Sequence, residues 1–231
     1  MDTNKQKILM LQLLKDIFSD ALLSSVLAIK GGSAAMFFYD LPRFSSNLDF
    51  NLLDARREDE VYERVRKIVR KYEKQHDESV QPHGIIILLD YGSRERKLKI
   101  EISKRQYNNH YEMRNYLGIQ MRVLSKEDLF AHKLCALLNK DETSSRDVFD
   151  SWFYLKECTS LSKDIVETRM EMPVTVYLDK CIECIQDISD SSLIRDMIKM
   201  DEESYRSFVR QDLKEELIYL LSMFKARPSY Q

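Results

Sequence analysis

Gly31 and Gly32 stand side by side in a chain of 231 residues that carries only five glycines, the others being Gly84, Gly92 and Gly118. Glycine admits positive φ and lets other groups come close to the backbone. A chain this sparing with it has placed the pair where the backbone has a special task. The apolar run Val26 to Ile29 leads through Lys30 into the pair, and Ala34 to Tyr39 follows as a short helix that Pro42 ends, with Ser33 expected at its N-cap. A strand, a glycine turn and a helix N-terminus in succession bring N–H groups and partial positive charge to one point, which suits a phosphate. Taken alone, a double glycine serves equally as a tight strand-to-helix turn.

With only four prolines, 44% apolar and 32% charged residues, collagen-like, linker-rich and low-complexity chains are excluded, and a helix-rich globular protein of one or two domains is favoured. Lys and Arg number 36 against 38 Asp and Glu, so no global field draws in nucleic acid or membrane. The halves differ: residues 1–124 hold 21 basic and 17 acidic side chains, residues 125–231 hold 15 and 21. No apolar run is long enough to span a membrane and the N-terminus lacks a signal-peptide pattern. The expected setting is cytoplasmic, with no membrane partner.

Periodicity divides the chain. Residues 5–24 are spaced as an amphipathic helix, Leu48 to Leu53 alternates as a half-buried strand, and residues 58–76 return to helix with a basic face of Arg64, Arg66, Lys67, Arg70, Lys71 and Lys74. Gly84 to Tyr91, Lys97 to Ser103 and Gly118 to Leu124 read as strands, and from Ser125, with Asp128 three residues on as in a capping box, the pattern is helical. The expectation is an α+β protein: a domain over 1–124 with a mixed sheet and flanking helices, then an all-helical domain over 125–231. Of the four cysteines, Cys135 and Cys158 fall in apolar helical stretches, and Cys181 and Cys184 form one C-x-x-C without a second pair, so ordinary reduced helix residues are expected.

Strand alternation turns Asn47 and Asp49 to one face, where two oxygen donors can meet one Mg²⁺. Glu101 shares a face with Lys97 and Lys99, and a surface ion pair explains it as readily as a ligand role. Lys133 lies on an apolar helix, where a lysine commonly reaches outward. Asp147 and Asp150 are three apart on one helix face.

In order, Lys30-Gly-Gly-Ser33, Arg43-Phe-Ser45-Ser-Asn47-Leu-Asp49, Lys99-Ile-Glu101, His132-Lys133-Leu-Cys-Ala-Leu-Leu and Arg146-Asp147-Val-Phe-Asp150 resemble the AbiEii/AbiGii family of abortive-infection toxins, which are nucleotidyltransferases of the polymerase-β-like superfamily. The resemblance runs from Ile29 to Leu155. It implies a nucleotidyltransferase-like first domain in which Gly31, Gly32, Ser33 and Arg43 bind the nucleotide and Asn47, Asp49 and Glu101 hold the metal. It also implies that Lys133 contacts nucleotide phosphates and that Asp49, Lys133 and Asp147 are the catalytic set, with Asp150 beside them. One departure stands out: the family's D-x-D motif begins here with Asn47, an amide that brings no charge to a metal.

The reaction so implied is Mg²⁺-dependent transfer of a nucleoside monophosphate from an NTP to an acceptor hydroxyl. The acceptor would be a tRNA 3′ end, another RNA or a protein side chain, and a cognate antitoxin would be the partner. The basic helix 58–76 with Arg94, Arg96, Lys97 and Lys99 is the candidate surface for an RNA backbone. Two alternatives stay open: a nucleotide-binding or partner-binding module whose chemistry Asn47 has weakened, and an interaction domain in which every motif residue is ordinary.

Overall fold

A computed structural model describes residues 3–72, 76–90, 97–138, 144–189 and 203–227. The chain divides into two compact units, Met1–Ser125 and Lys126–Gln231; the first is mixed α/β and the second helical. Among the described residues no helix is long and apolar enough to cross a membrane.

In the first unit, the helix expected over 5–24 breaks at Asp20. Its carboxylate accepts the N–H groups of Leu22 and Leu23, so that α1 (Thr3–Ser19) stops and α2 (Ala21–Val26) starts afresh. Strand β1 (Leu27–Lys30) feeds directly into α3 (Gly31–Phe38). Helix α3 begins earlier than the Ser33 N-cap expectation. Lys30 holds the N-cap position, and Ser33 is buried in the first turn with its hydroxyl donated to the Lys30 carbonyl at 3.3 Å. Strand β2 (Asn47–Leu52) and helix α4 (Glu58–Val69) follow.

Helix α4 is shorter than the 58–76 expected from its basic face, because His76–Gln81 is strand β3. Strands β4 (Gly84–Leu89), β5 (Leu98–Ser103), β6 (Tyr111–Tyr116) and β7 (Ile119–Leu124) complete the unit. Lys74, Tyr91, Arg94 and Arg96 lie outside the described residues.

The seven described strands form one mixed sheet in the order β3-β4-β5-β2-β1-β7-β6. β2 runs parallel to β5 and β1 parallel to β7, while the other pairs are antiparallel. Alternation gives the central strands two unlike faces. Ile29, Leu48, Phe50, Ile85, Ile87, Ile100 and Ile102 are fully buried, and the Phe18 ring of α1 lies 6.2 Å from Phe50. Helix α1 adds Met10, Leu13, Leu14 and Ile17 to this core, and α4, packed beside it, adds Val61, Val65 and Val69. The opposite face carries Lys30, Asn47, Asp49, Lys99 and Glu101, all half-buried.

Among the described residues the helical unit contains α5 (Lys126–Ala136), α6 (Ser145–Lys156), α7 (Lys163–Met170), α8 (Val174–Asp187), α9 (Glu203–Gln211) and α10 (Leu213–Lys225). Its centre is α6, buried on nearly every side. The Phe130 ring of α5 stacks on Tyr154 of α6 at 5.5 Å and meets Phe224 of α10 edge-on at 5.8 Å. Asp128 is fully buried and accepts the Ser162 hydroxyl, which joins α5 to the segment before α7.

Candidate active site

The corner between β1, α3 and β2 is built around the two glycines. Gly31 has φ +67°, and a Cβ added there would stand 2.7 Å from Asp49 Oδ2 and 3.3 Å from its Cγ. The missing side chain is what lets the Asp49 carboxylate lie against the start of α3. Gly32 does the same for the loop before β2: a Cβ there would stand 2.9 Å from Ser45 Oγ and 3.2 Å from Arg43 Nη2. Both loop side chains are buried. That loop is tied down from below, since the buried Gln6 of α1 donates its amide to the Ser46 carbonyl at 3.0 Å. Ser46 in turn donates to Asn47 Oδ1 at 3.4 Å.

Strand register sets the rest. Lys30 pairs with Asp49 across β1 and β2, and Asp49 with Glu101 across β2 and β5. These three therefore stand in one row on one face, with Ile86 of β4 continuing it. One step along the same face, Asn47 is opposite Lys99, and Leu88 is opposite Lys99 on the other side. Lys99 Nζ donates to Glu101 Oε2 at 2.6 Å. Burial would raise the Glu101 carboxyl, but the Lys99 hydrogen bond and charge, with the charges of Lys30 and Arg105, hold it below its ordinary value. The face thus gathers two carboxylates, one amide oxygen and two lysines, with Arg43 beside Gly32.

A second cluster lies within the helical unit. Asp147 and Asp150 project from the buried helix α6, where an unpaired carboxylate is costly. Lys133 of α5 meets that need, with Nζ 2.9 Å from Asp147 Oδ1 and 2.9 Å from Asp150 Oδ2. Lys133 does not reach outward, as a lysine on an apolar helix commonly does: its side chain is 18% exposed, and its partners 6% and 0%. Next to it, His132 Nδ1 lies 2.8 Å from Arg169 Nη1.

The structure therefore brings Gly31, Gly32, Arg43, Asn47, Asp49 and Glu101 to one corner of the first unit, and Lys133, Asp147 and Asp150 to one contact in the second. Ser33 stands within the corner as a buried helix residue. Lys30 and Gln6 are at or beneath the corner and were not candidates from sequence, and Lys99, expected only on a surface for an RNA backbone, joins them there. The Lys99-x-Glu101 spacing already places the first pair on one face, whereas Lys30 and Gln6 become visible only through strand register and helix packing.

Among the described residues, no group of three or more His, Cys, Asp and Glu side chains is placed to hold a metal ion. Cys135 and Cys181 are buried, which pushes their thiols up to about 11 and about 12.

Much of the positive charge on and just after helix α4 is paired with nearby carboxylates. Arg64 binds Asp20 and Glu60, Arg66 binds Glu78, and Lys71 binds Asp16. Asp16, Asp20, Glu60, Arg64, Arg66 and Lys71, with the exposed Lys67 and Arg70, line a groove between α1 and α4. Lys97 pairs with Asp77.

The family model described as nucleotidyl transferase AbiEii toxin, type IV TA system, matches residues 12–220, well past the motifs that end at Leu155. A candidate nucleotidyltransferase from H. pylori, solved by crystallography, is similar with a TM-score of 0.62 at 20% identity, covering 96% of this chain and 93% of its own. JHP933 from Helicobacter pylori is similar with a TM-score of 0.57 at 20% identity, covering 96% of this chain and 90% of its own. At this identity the likeness is one of fold. Among curated proteins none matches the chain.

Proposed function

The chain belongs to the AbiEii nucleotidyl transferase toxin family, and on that premise we propose that it moves a nucleoside monophosphate from an NTP to an acceptor hydroxyl, using the corner of β1, α3 and β2 with β5. The observation that carries this reading is the row Lys30–Asp49–Glu101 set against the glycine start of α3. It joins two oxygen-donating carboxylates to a helix N-terminus and to Arg43, which is the complement of a triphosphate and its counterion.

The donors suit Mg²⁺ in kind: Asn47, Asp49 and Glu101 offer only hard oxygen atoms from one sheet face, and these three would hold it. Bound there, the ion would neutralise charge on the reacting phosphate. The chain's own groups do the remaining work. Gly31 and Gly32 open the α3 N-terminus to the nucleotide, and Ser33 holds the first turn by its bond to Lys30. Arg43 balances negative charge as the acceptor oxygen bonds to the α-phosphorus and pyrophosphate departs. One of the two carboxylates, Asp49 or Glu101, takes the acceptor's proton. In the helical unit, the reading assigns Lys133 to nucleotide phosphates, with its ammonium held by Asp147 and Asp150.

The acceptor class is a tRNA 3′ end, another RNA or a protein side chain. An RNA backbone would find Lys67 on α4 and Arg70 at its C-cap exposed, fewer cations than the basic face alone implies. The family's toxin–antitoxin character supports a cognate antitoxin as partner, in the cytoplasm where NTPs are available.

A second reading is favoured by one observation: with an uncharged amide at Asn47 and Lys99 on Glu101, the donor face carries little surplus negative charge. This would suit a module that binds nucleotide with slow or no transfer. Incubation with each labelled NTP, total RNA and total protein separates the two. Transfer into one fraction, lost in Asp49→Ala, supports the enzyme. Calorimetric binding of Mg-NTP without transfer supports the module, and undiminished transfer by Asp49→Ala sinks the site assignment.

A further inference from the structure

The residue opposite Asn47 is a lysine. In register, Lys99 of β5 faces Asn47, an uncharged oxygen donor, and its ammonium is seated on Glu101 Oε2 at 2.6 Å. Across the row, Asp49 and Glu101 are matched by Lys30 and Lys99. The remaining same-face neighbours on β4, Ile86 and Leu88, are apolar and bring no charge. A face that gathers two divalent ions needs more negative charge than this one presents, because each dication must outweigh the loss of its water shell.

We propose that Lys99 is a built-in cation of the site: its ammonium occupies the side of Glu101 that a second divalent ion would need, so that the face holds one divalent ion among Asn47, Asp49 and Glu101. Asn47 and Lys99 then form a matched pair. An acid at 47 would be drawn to Lys99 across the strands, whereas the amide leaves Lys99 to Glu101. The inference rests on the site being the one that serves nucleotidyl transfer, but it concerns how the donor face counts cations and is measurable without turnover. Lys99 acts here through Glu101 and is a positioning residue.

The test is a titration of the full chain with Mn²⁺ alone, with free Mn²⁺ counted by electron paramagnetic resonance. Wild type should bind one ion per chain. Lys99→Met and Lys99→Gln, checked for native circular dichroism, should bind it about tenfold more tightly, since a like charge beside the ion is gone. Lys99→Arg, which keeps the charge, should match wild type, and Asn47→Asp combined with Lys99→Met should bind two. Equal or weaker binding in the folded Lys99→Met and Lys99→Gln variants, two ions on wild type, or no binding by any of them would overturn the proposal. Labelled-NTP transfer is followed in the same samples. If no variant transfers while the Mn²⁺ pattern holds, the transferase reading fails and the role of Lys99 stands.

Discussion

The carboxylate of Asp49 fills the space that a side chain on Gly31 would take, with Oδ2 only 2.7 Å from the position of its Cβ. A strand residue and a helix start, distant in sequence, are thus fitted to each other, and the fit depends on a hydrogen atom at residue 31.

Gly31→Ala should therefore do two separable things. At φ +67° an alanine costs about 1–2 kcal/mol of backbone strain, and its methyl must drive the Asp49 carboxylate away from α3. Urea unfolding should show the first effect, and labelled-NTP transfer falling about a hundredfold should show the second. A variant that loses stability but keeps its transfer rate would mean that the placement of Asp49 against Gly31 is structural only.

Asp20 links two elements, capping α2 through Leu22 and Leu23 and pairing with Arg64 of α4 at 2.9 Å. Burial alone would raise its carboxyl. The Leu23 N–H, the Arg64 hydrogen bond and charge, and the Leu22 N–H outweigh it and hold the group below its ordinary 3.8. With the folded value depressed, the stabilisation is complete above about pH 3.8 and is lost as pH falls through the folded value. Asp20→Ala should cost about 1–2 kcal/mol at neutral pH. The difference from wild type in thermal unfolding should stay flat from pH 8 to near 5 and close in stronger acid.

Lys133 shares its one positive charge between two carboxylates on the most buried helix of its unit. Lys133→Met leaves both without it and should destabilise by about 3–5 kcal/mol. Adding Asp147→Asn and Asp150→Asn to that variant should recover much of the loss, because the uncompensated charge is gone. Denaturant unfolding of the single and triple variants checks this. If the triple variant is as unstable as the single one, the cost lies in packing and not in charge.

How much of this was readable beforehand follows from where each signal is stored. The mixed sheet with flanking helices and the helical tail were legible, because Leu48–Leu52 and Leu98–Ser103 alternate and the residues after Ser125 keep helical spacing. β3, with the sequence His-Asp-Glu-Ser-Val-Gln, and β6, with Tyr-Glu-Met-Arg-Asn-Tyr, were not. They are the two edges of the sheet, where polar side chains and charges are tolerated and blunt further pairing. The break at Asp20 is written in an aspartate before Ala-Leu-Leu, a cap that a long amphipathic repeat conceals. At the site, the motif order marks Gly31, Asp49 and Glu101. That Lys30 stands beside Asp49, and that Ser33 is buried inside the first turn, depends on how β1 pairs with β2, which no local window contains.

Gln6 is the least expected contributor. It lies on the first helix, fully buried, and its amide holds the Ser46 carbonyl immediately before Asn47 and β2. The loop it anchors presents Arg43 and Ser45 to Gly32, so a slack anchor should let the nucleotide corner drift while leaving the sheet intact. Gln6→Leu removes the donor, leaves a carbonyl short of a partner and should cost about 1–3 kcal/mol in equilibrium unfolding. Because positioning errors far from the reacting atoms still tell on rate, transfer should fall about tenfold in protein that remains fully folded at the assay temperature. An unchanged rate in folded Gln6→Leu would show that Gly32 and the Ser33 turn hold the loop without help from α1.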